Sequence, residues 1–204
     1  MSNTFAPFGF SQVGGNAGAA PNFEQAAYPI VYDDANKIYT GDPVKILETG
    51  YIAAWTAGTG VSQLFGIFAG CQYLSTSQSR VVWSPYWPGA DVADGAQSSV
   101  IGYVVPIVPT TSGRFLVQTG NSNTTASPAT QAFVGQNCDV AMGTGNTLNG
   151  RSGAYLDMNN SGGTSSTLPF RVIGLYQGVG NGSDAASANN WVIVAANSLQ
   201  TTGI

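Results

Sequence analysis

The chain contains no histidine. That absence removes Ser–His and Cys–His nucleophile pairs and the commonest zinc ligand in one step. Charge is scarce as well: Asp, Glu, Lys and Arg make up 8% of residues, against about 25% in an ordinary globular protein. The basic residues, Lys37, Lys45, Arg80, Arg114, Arg151 and Arg171, are scattered with no two adjacent, and the net charge is −4. A phosphate backbone finds no footprint there, so nucleic acid is not expected as a partner. The longest apolar run, Val100 to Val108, is broken by Gly102 and Pro106, far short of the ~20 residues that span a bilayer. No positively charged segment opens the chain, as a secretory signal requires. The expectation is a soluble chain made in a cytosol, without a membrane partner. Cys71 and Cys138 are the only cysteines, and in that setting two buried thiols are expected rather than a disulfide.

Helical periodicity is the next absence. No stretch long enough for a helix runs at a 3.6 period without Gly or Pro; Gln131 to Val134 is the only candidate, for a single turn. What is present is hydrophobic residues at 43%, aromatics at 11% and 27 glycines. Those apolar fractions are too high for a disordered chain. A surface that is polar but uncharged costs little to desolvate and suits burial against protein neighbours.

The chain is organised around Leu64 to Gly89, LFGIFAGCQYLSTSQSRVVWSPYWPG. An apolar run from Leu64 to Cys71, a polar turn at Ser75–Ser79 and a return through Val81-Val-Trp83 read as a long hairpin. Pro85 and Pro88 each fix φ and lack an N–H, so Tyr86 and Trp87 are expected on a stiff corner outside any ladder, plugging a barrel end or offering a contact surface.

Residues 1–27 show neither period, yet Phe5, Phe8, Phe10 and Phe23 sit among Gly, Ala, Pro and Asn. They read as an extended arm. Phe8 and Phe10 fall on one side of an extended chain, with Phe5 turning the other way at Pro7. The expectation is that residues 1 to about 20 leave the domain and dock on an adjacent subunit or on a larger assembly that the protein joins. From residue 28 to 204 the pattern is of strands. Val44–Leu47 and Tyr51–Trp55 form a hairpin around Glu48-Thr-Gly50. Ser99 to Val105 is a continuous apolar strand expected to be buried on both faces. Phe115, Val117 and Thr119 alternate with Arg114, Leu116 and Gln118 as one buried face requires. Ala154–Met158 is a short strand followed by a polar loop from Asn159 to Ser166. Phe170–Gln177 and Trp191–Ala196 are the last strong strands. About ten short strands with frequent turn signals argue an all-β sandwich or barrel with under roughly 10% helix.

No sequence motif for phosphate cradling, dinucleotide binding or a nucleophile elbow is present. Asp33, Asp34, Asp42, Asp91, Asp94 and Asp157 are the candidate acids for glycoside hydrolysis. Nearly all stand beside Gly, Asn or Pro, where a carboxylate caps its own turn. Asp33–Asn36 and Asp91–Gly95 offer oxygens for Ca²⁺ without a full loop pattern. Neither an enzyme nor a bound cofactor or metal is expected. Trp55, Tyr73, Trp83, Tyr86 and Trp87 either fill a core or lie exposed, where they would stack on sugar rings.

Tyr39-Thr-Gly-Asp-Pro-Val44, Leu64-Phe-Gly-Ile-Phe-Ala-Gly-Cys71 and Ser84-Pro-Tyr-Trp-Pro-Gly89 resemble segments of auxiliary capsid proteins, the decoration or cement proteins of tailed double-stranded-DNA bacteriophages. Arg171-Val-Ile-Gly-Leu175 and Trp191-Val-Ile-Val194 sit where that pattern has its closing strands, so the likeness covers about residues 28 to 197. It implies a β-rich virion protein on the outside of the capsid, bound to the major capsid protein and to itself as a dimer or trimer. The residues expected at protein interfaces are Phe5, Phe8, Phe10, Tyr86 and Trp87. The alternative expectation is a tail-fibre or spike domain that binds cell-surface glycan, signalled by exposure of Trp83, Tyr86 or Trp87.

Overall fold

A computed structural model describes residues 3–14, 25–56, 64–92, 100–106, 113–122, 128–163 and 168–197. Phe23 and Asp94 lie outside the described residues. Strands make up nearly half of the described residues and helix about 2%. The first strands are β1 (Ser11–Gly14), β2 (Ala26–Pro29), β3 (Ile38–Tyr39), β4 (Pro43–Ile46), β5 (Ile52–Ala54), β6 (Gly66–Ser75) and β7 (Arg80–Ser84). They are followed by β8 (Tyr86–Trp87), β9 (Ile101–Pro106), β10 (Arg114–Gly120), β11 (Asn137–Ala141), β12 (Tyr155–Gly163), β13 (Phe170–Leu175) and β14 (Trp191–Ala196). The helical turn expected at Gln131–Val134 falls at Gln131–Phe133, as a 3-10 turn.

Two strand circuits organise the molecule. In the first, β10, β12, β11, β13 and β14 follow one another by hydrogen bonding, and β14 pairs back onto β10. The circuit therefore closes, which removes its free edges. In the second, β2, β9, β6, β4 and β5 form a sheet whose ends are joined by a parallel bridge between Ile30 and Ile52. Strand β6 is the spine of that half. One of its edges carries β9, and its other partners are β4 at Gly66–Ile67 and β7 at Cys71–Ser75.

Each circuit encloses its own core. Ile30, Ile38, Val44, Ile52, Phe68, Tyr73, Trp87 and Val104 fill the second. Phe115, Val140, Leu156, Phe170, Val172 and Val194 fill the first, which also receives Trp55, Leu64 and Ile67 from the other half. Burying each such side chain contributes roughly 1.5–3 kcal/mol. The free thiols of Cys71 and Cys138 are both buried, and burial pushes the Cys71 pKa up to about 12.

Residues 3–14 of the leader are largely extended, but they do not leave the domain. Strand β1 pairs antiparallel with β10, and Phe10, 4% exposed, stacks on Phe170 with ring centroids 4.4 Å apart. Phe8 meets Trp191 edge-on at 4.9 Å, and Phe5 meets Tyr155 at 5.3 Å. All three rings thus dock on the chain's own first circuit, and Phe5 does not turn away. Gly9, between Phe8 and Phe10, has φ +75°, and a Cβ on it would lie 2.5 Å from the Ser152 Cβ. A left-handed residue there breaks the alternation an extended chain would keep. The buried amide of Gln118 completes the seal, accepting from the Ala6 N–H and donating to the Thr4 and Asn189 carbonyls.

Two further expectations are revised. Strand β9 is not buried on both faces: Gly102 and Val104 point inward while Ile101, Tyr103 and Val105 are half-covered. Strand β12 does not stop at Met158 but runs to Gly163, with register shifts against β11 near Cys138.

Candidate functional site

The hairpin of β6 and β7 forms as its sequence demands, with Gln72 opposite Trp83 and Leu74 opposite Val81. Its loop is fastened by Asp91, whose carboxylate accepts from the Ser75 hydroxyl at 2.5 Å and the Ser77 N–H at 2.7 Å. These bonds hold the exposed Asp91 carboxyl below its ordinary pKa.

Alternation along β7 sends Val81 and Trp83 to the outside, 49% and 68% exposed. Trp83 lies nearly parallel to Tyr103 of β9, with centroids 4.8 Å apart and planes at 21°. The Tyr103 hydroxyl donates to Gln72 Oε1 at 3.3 Å, which fixes the lower ring. Beside Trp83, Arg80 donates through Nε and Nη2 to Gln78 Oε1 at 3.1 and 2.8 Å. Gln78, Arg80, Val81, Val82 and Trp83 line a shallow concavity of about 370 Å³.

Tyr86 and Trp87 do not lie outside a ladder, as the flanking prolines led us to expect. They form β8, a two-residue ladder with Ile38 and Tyr39 of β3. The flanking prolines leave the N–H groups of Tyr86 and Trp87 intact, so the corner is stiff and still able to pair. Trp87 is fully buried, donates its indole N–H to the Asp34 carbonyl at 2.9 Å and meets Tyr73 edge-on. It is a core residue and presents nothing to a partner. Tyr86 is half-buried and stacks on Tyr39 at 5.4 Å. Of the expected interface aromatics, Phe10 and Trp87 are therefore interior, Phe8 and Tyr86 are half-covered, and Phe5 is 49% exposed.

A loop that sequence reasoning passed over stands next to this corner. The Thr40 N–H lies 3.1 Å from the Pro85 carbonyl and 3.0 Å from the Gly150 carbonyl, which ties residues 146–151 to β8. Asn146 and Arg151 close the loop, and the Asn146 and Asn149 side chains accept from the Leu148 and Arg151 N–H groups at 2.8 and 2.9 Å. At its tip Leu148 is 96% exposed. The signal was there: an Asn-Thr-Leu-Asn-Gly run is turn chemistry with one apolar residue it does not need.

Asp42 sits where the halves meet. It is 3% exposed, accepting from the Ser152 hydroxyl at 2.5 Å and the Tyr39 N–H at 2.7 Å. Burial raises its pKa to about 6, against the opposing pull of those two bonds. Asp34 bonds the Asn36 backbone and side-chain amides. Asp157 accepts from the Ser122 N–H and hydroxyl and from the Asn159 N–H. Asp34 has the turn-capping role expected of it, whereas Asp157 lies buried within β12 and fastens Ser122, 35 residues away in sequence. Asp139 stands opposite Asp157 in the ladder, and burial, with that neighbouring charge, raises its pKa. Among the described residues no group of three acids or thiols is placed to hold a metal, and no helix is long and apolar enough to cross a membrane.

Comparison with known proteins finds no matching family model, curated protein or solved structure.

Proposed function

We propose that the chain is a structural protein of a bacteriophage particle, bound to the outside of the capsid and stabilising it through contacts with the major capsid protein. Leu148 carries the reading. A leucine 96% exposed at the tip of a loop tied by its own side chains and by Thr40 is an apolar knob held ready at little entropic cost. Such preorganisation is what makes a protein contact strong. The weakly charged surface fits the same role, because its burial leaves few ions to desolvate. The resemblance of residues 28 to 197 to decoration proteins supports it from the sequence side. Copies pair with one another on the shell as a dimer or trimer. The mechanism is mass action: a protein that binds the assembled shell and not its dissociated subunits stabilises the shell. No catalysis and no cofactor enter this role.

The test is decoration of purified particles by L148D. Aspartate at so exposed a site leaves the fold intact, and loss of one buried leucine contact, roughly 1.5–3 kcal/mol, weakens shell binding about tenfold to a hundredfold. Particles depleted of the protein should also burst at lower temperature. Depleted particles as robust as complete ones would overturn the structural role.

A second reading, a tail-fibre or spike domain that binds surface glycan, is favoured by one observation: the exposure of Trp83.

A further inference from the structure

We infer that Trp83, Tyr103, Gln72 and Arg80 form a binding site for an acidic saccharide. The inference rests on the ligand class of the second reading and is independent of the Leu148 contact.

The geometry supplies a platform. One face of the Trp83 indole is backed by the Tyr103 ring at 4.8 Å, and the side chain is still 68% exposed. A pyranose turns an apolar face of C–H groups, slightly positive, toward the negative face of an aromatic ring. Tyr103 and its bond to Gln72 hold the indole in place before any ligand arrives, so little ordering entropy is lost on stacking.

The surroundings supply the polar half. Gln72 receives the Tyr103 hydroxyl on Oε1, which leaves its amide N–H groups to donate to ring hydroxyls. Arg80 spends Nε and one Nη on Gln78, and among the described residues no carboxylate pairs with it. The remaining guanidinium donors match a sugar carboxylate, with the charge assistance a neutral hydroxyl lacks. Asp91, which fastens the hairpin loop, is occupied by Ser75 and Ser77. Trp83 and Arg80 line the concavity of about 370 Å³, at the small end of ligand sites, which run roughly 300–1,000 Å³, and Gln72 stands opposite Trp83 in the ladder.

Size separates a saccharide from a protein partner. A stable protein interface buries about 800 Å² on each side around an apolar centre. Strand β7 exposes two large apolar side chains, Val81 and Trp83, rimmed by amides and a cation. That is enough for a sugar ring or two.

The test uses the purified full chain without capsids, titrated with trigalacturonate, sialyllactose and neutral maltotriose, and read by tryptophan fluorescence and calorimetry. The acidic sugars should bind, and maltotriose more weakly. W83A should weaken all binding about tenfold or more, W83F should restore most of it, and R80Q should reduce the acidic sugars to the level of maltotriose. L148D should bind sugars like the wild type, which separates this site from the shell contact. Failure of every sugar to bind, or W83A binding as well as the wild type, overturns the inference. So does dissociation of an oligomer by W83A in sedimentation, which would make the occupant of β7 a second copy of the chain.

Discussion

Among the described residues the first core holds sixteen buried apolar side chains and the second ten, and the two are assembled differently from the sequence. The second circuit is drawn from residues 26–106, and two of its pairings, β4–β5 and β6–β7, are hairpins between consecutive strands. The first draws β1 from the leader and β10–β14 from the far end of the chain. One of its largest rings, Phe10, comes from a segment that shares no local pattern with the rest. The contrast teaches that an aromatic-rich, aperiodic terminus can be the missing wall of a core.

The largest break in that comparison is at Phe10. Removing a ring stacked on Phe170 and 4% exposed leaves a cavity, and F10A should lose about 3–5 kcal/mol of unfolding free energy. F5A, whose ring is half exposed, should lose under about 1 kcal/mol. Denaturant titration of both variants checks it. Equal, small losses would mean the leader is dispensable to the first core.

What was legible followed from range. The β4–β5 and β6–β7 hairpins, the 3-10 turn at Gln131 and the alternation of Phe115 and Val117 all rest on neighbours in sequence, and all formed. The leader was misread because its partners, Gln118, Phe170 and Trp191, lie more than a hundred residues away. A pattern window cannot see them. Pro85 and Pro88 correctly announced a stiff corner, but proline removes only its own N–H, so Tyr86 and Trp87 still paired with β3. Leu148 was hidden for the opposite reason: its loop looked like an ordinary Gly/Asn turn, and only the structure shows the side chain standing free.

The seam between the halves gives the next effect. Asp42 has its pKa raised from 3.8 to about 6 by burial, so its folded form prefers to stay protonated. A carboxyl of this sign contributes stability that is fully present below its unfolded pKa of 3.8 and is lost as pH rises through about 6. A shift of roughly two units corresponds to about 3 kcal/mol. Asn in its place mimics the protonated acid: Oδ1 takes the Tyr39 N–H and the amide donates to the Ser152 hydroxyl. D42N should therefore match the wild type near pH 4 and exceed its stability by up to about 3 kcal/mol above pH 7. Thermal melts across that range decide it, and parallel curves for the two proteins would contradict the assignment. Asp139, also raised, and Asp91, lowered, act equally in both proteins and cancel in the difference.

The smallest effect sharpens the comparison within one hairpin. Trp87 is fully buried with its indole N–H on the Asp34 carbonyl, and Trp83 is 68% exposed on the face of Tyr103. W87F keeps an aromatic ring but loses that hydrogen bond and leaves unfilled volume, so it should cost about 1–2 kcal/mol. W83A removes a far larger group, yet most of that group already faces water. It should cost under about 0.5 kcal/mol, the range of surface changes that break no special contact. The conservative change hurts more than the radical one because burial, not the size of the substitution, sets the loss. A tryptophan that contributes so little to its own fold is available for another contact. If W83A destabilises as much as W87F, Trp83 is instead a strut for β7 and β9, and its exposure says nothing about a ligand.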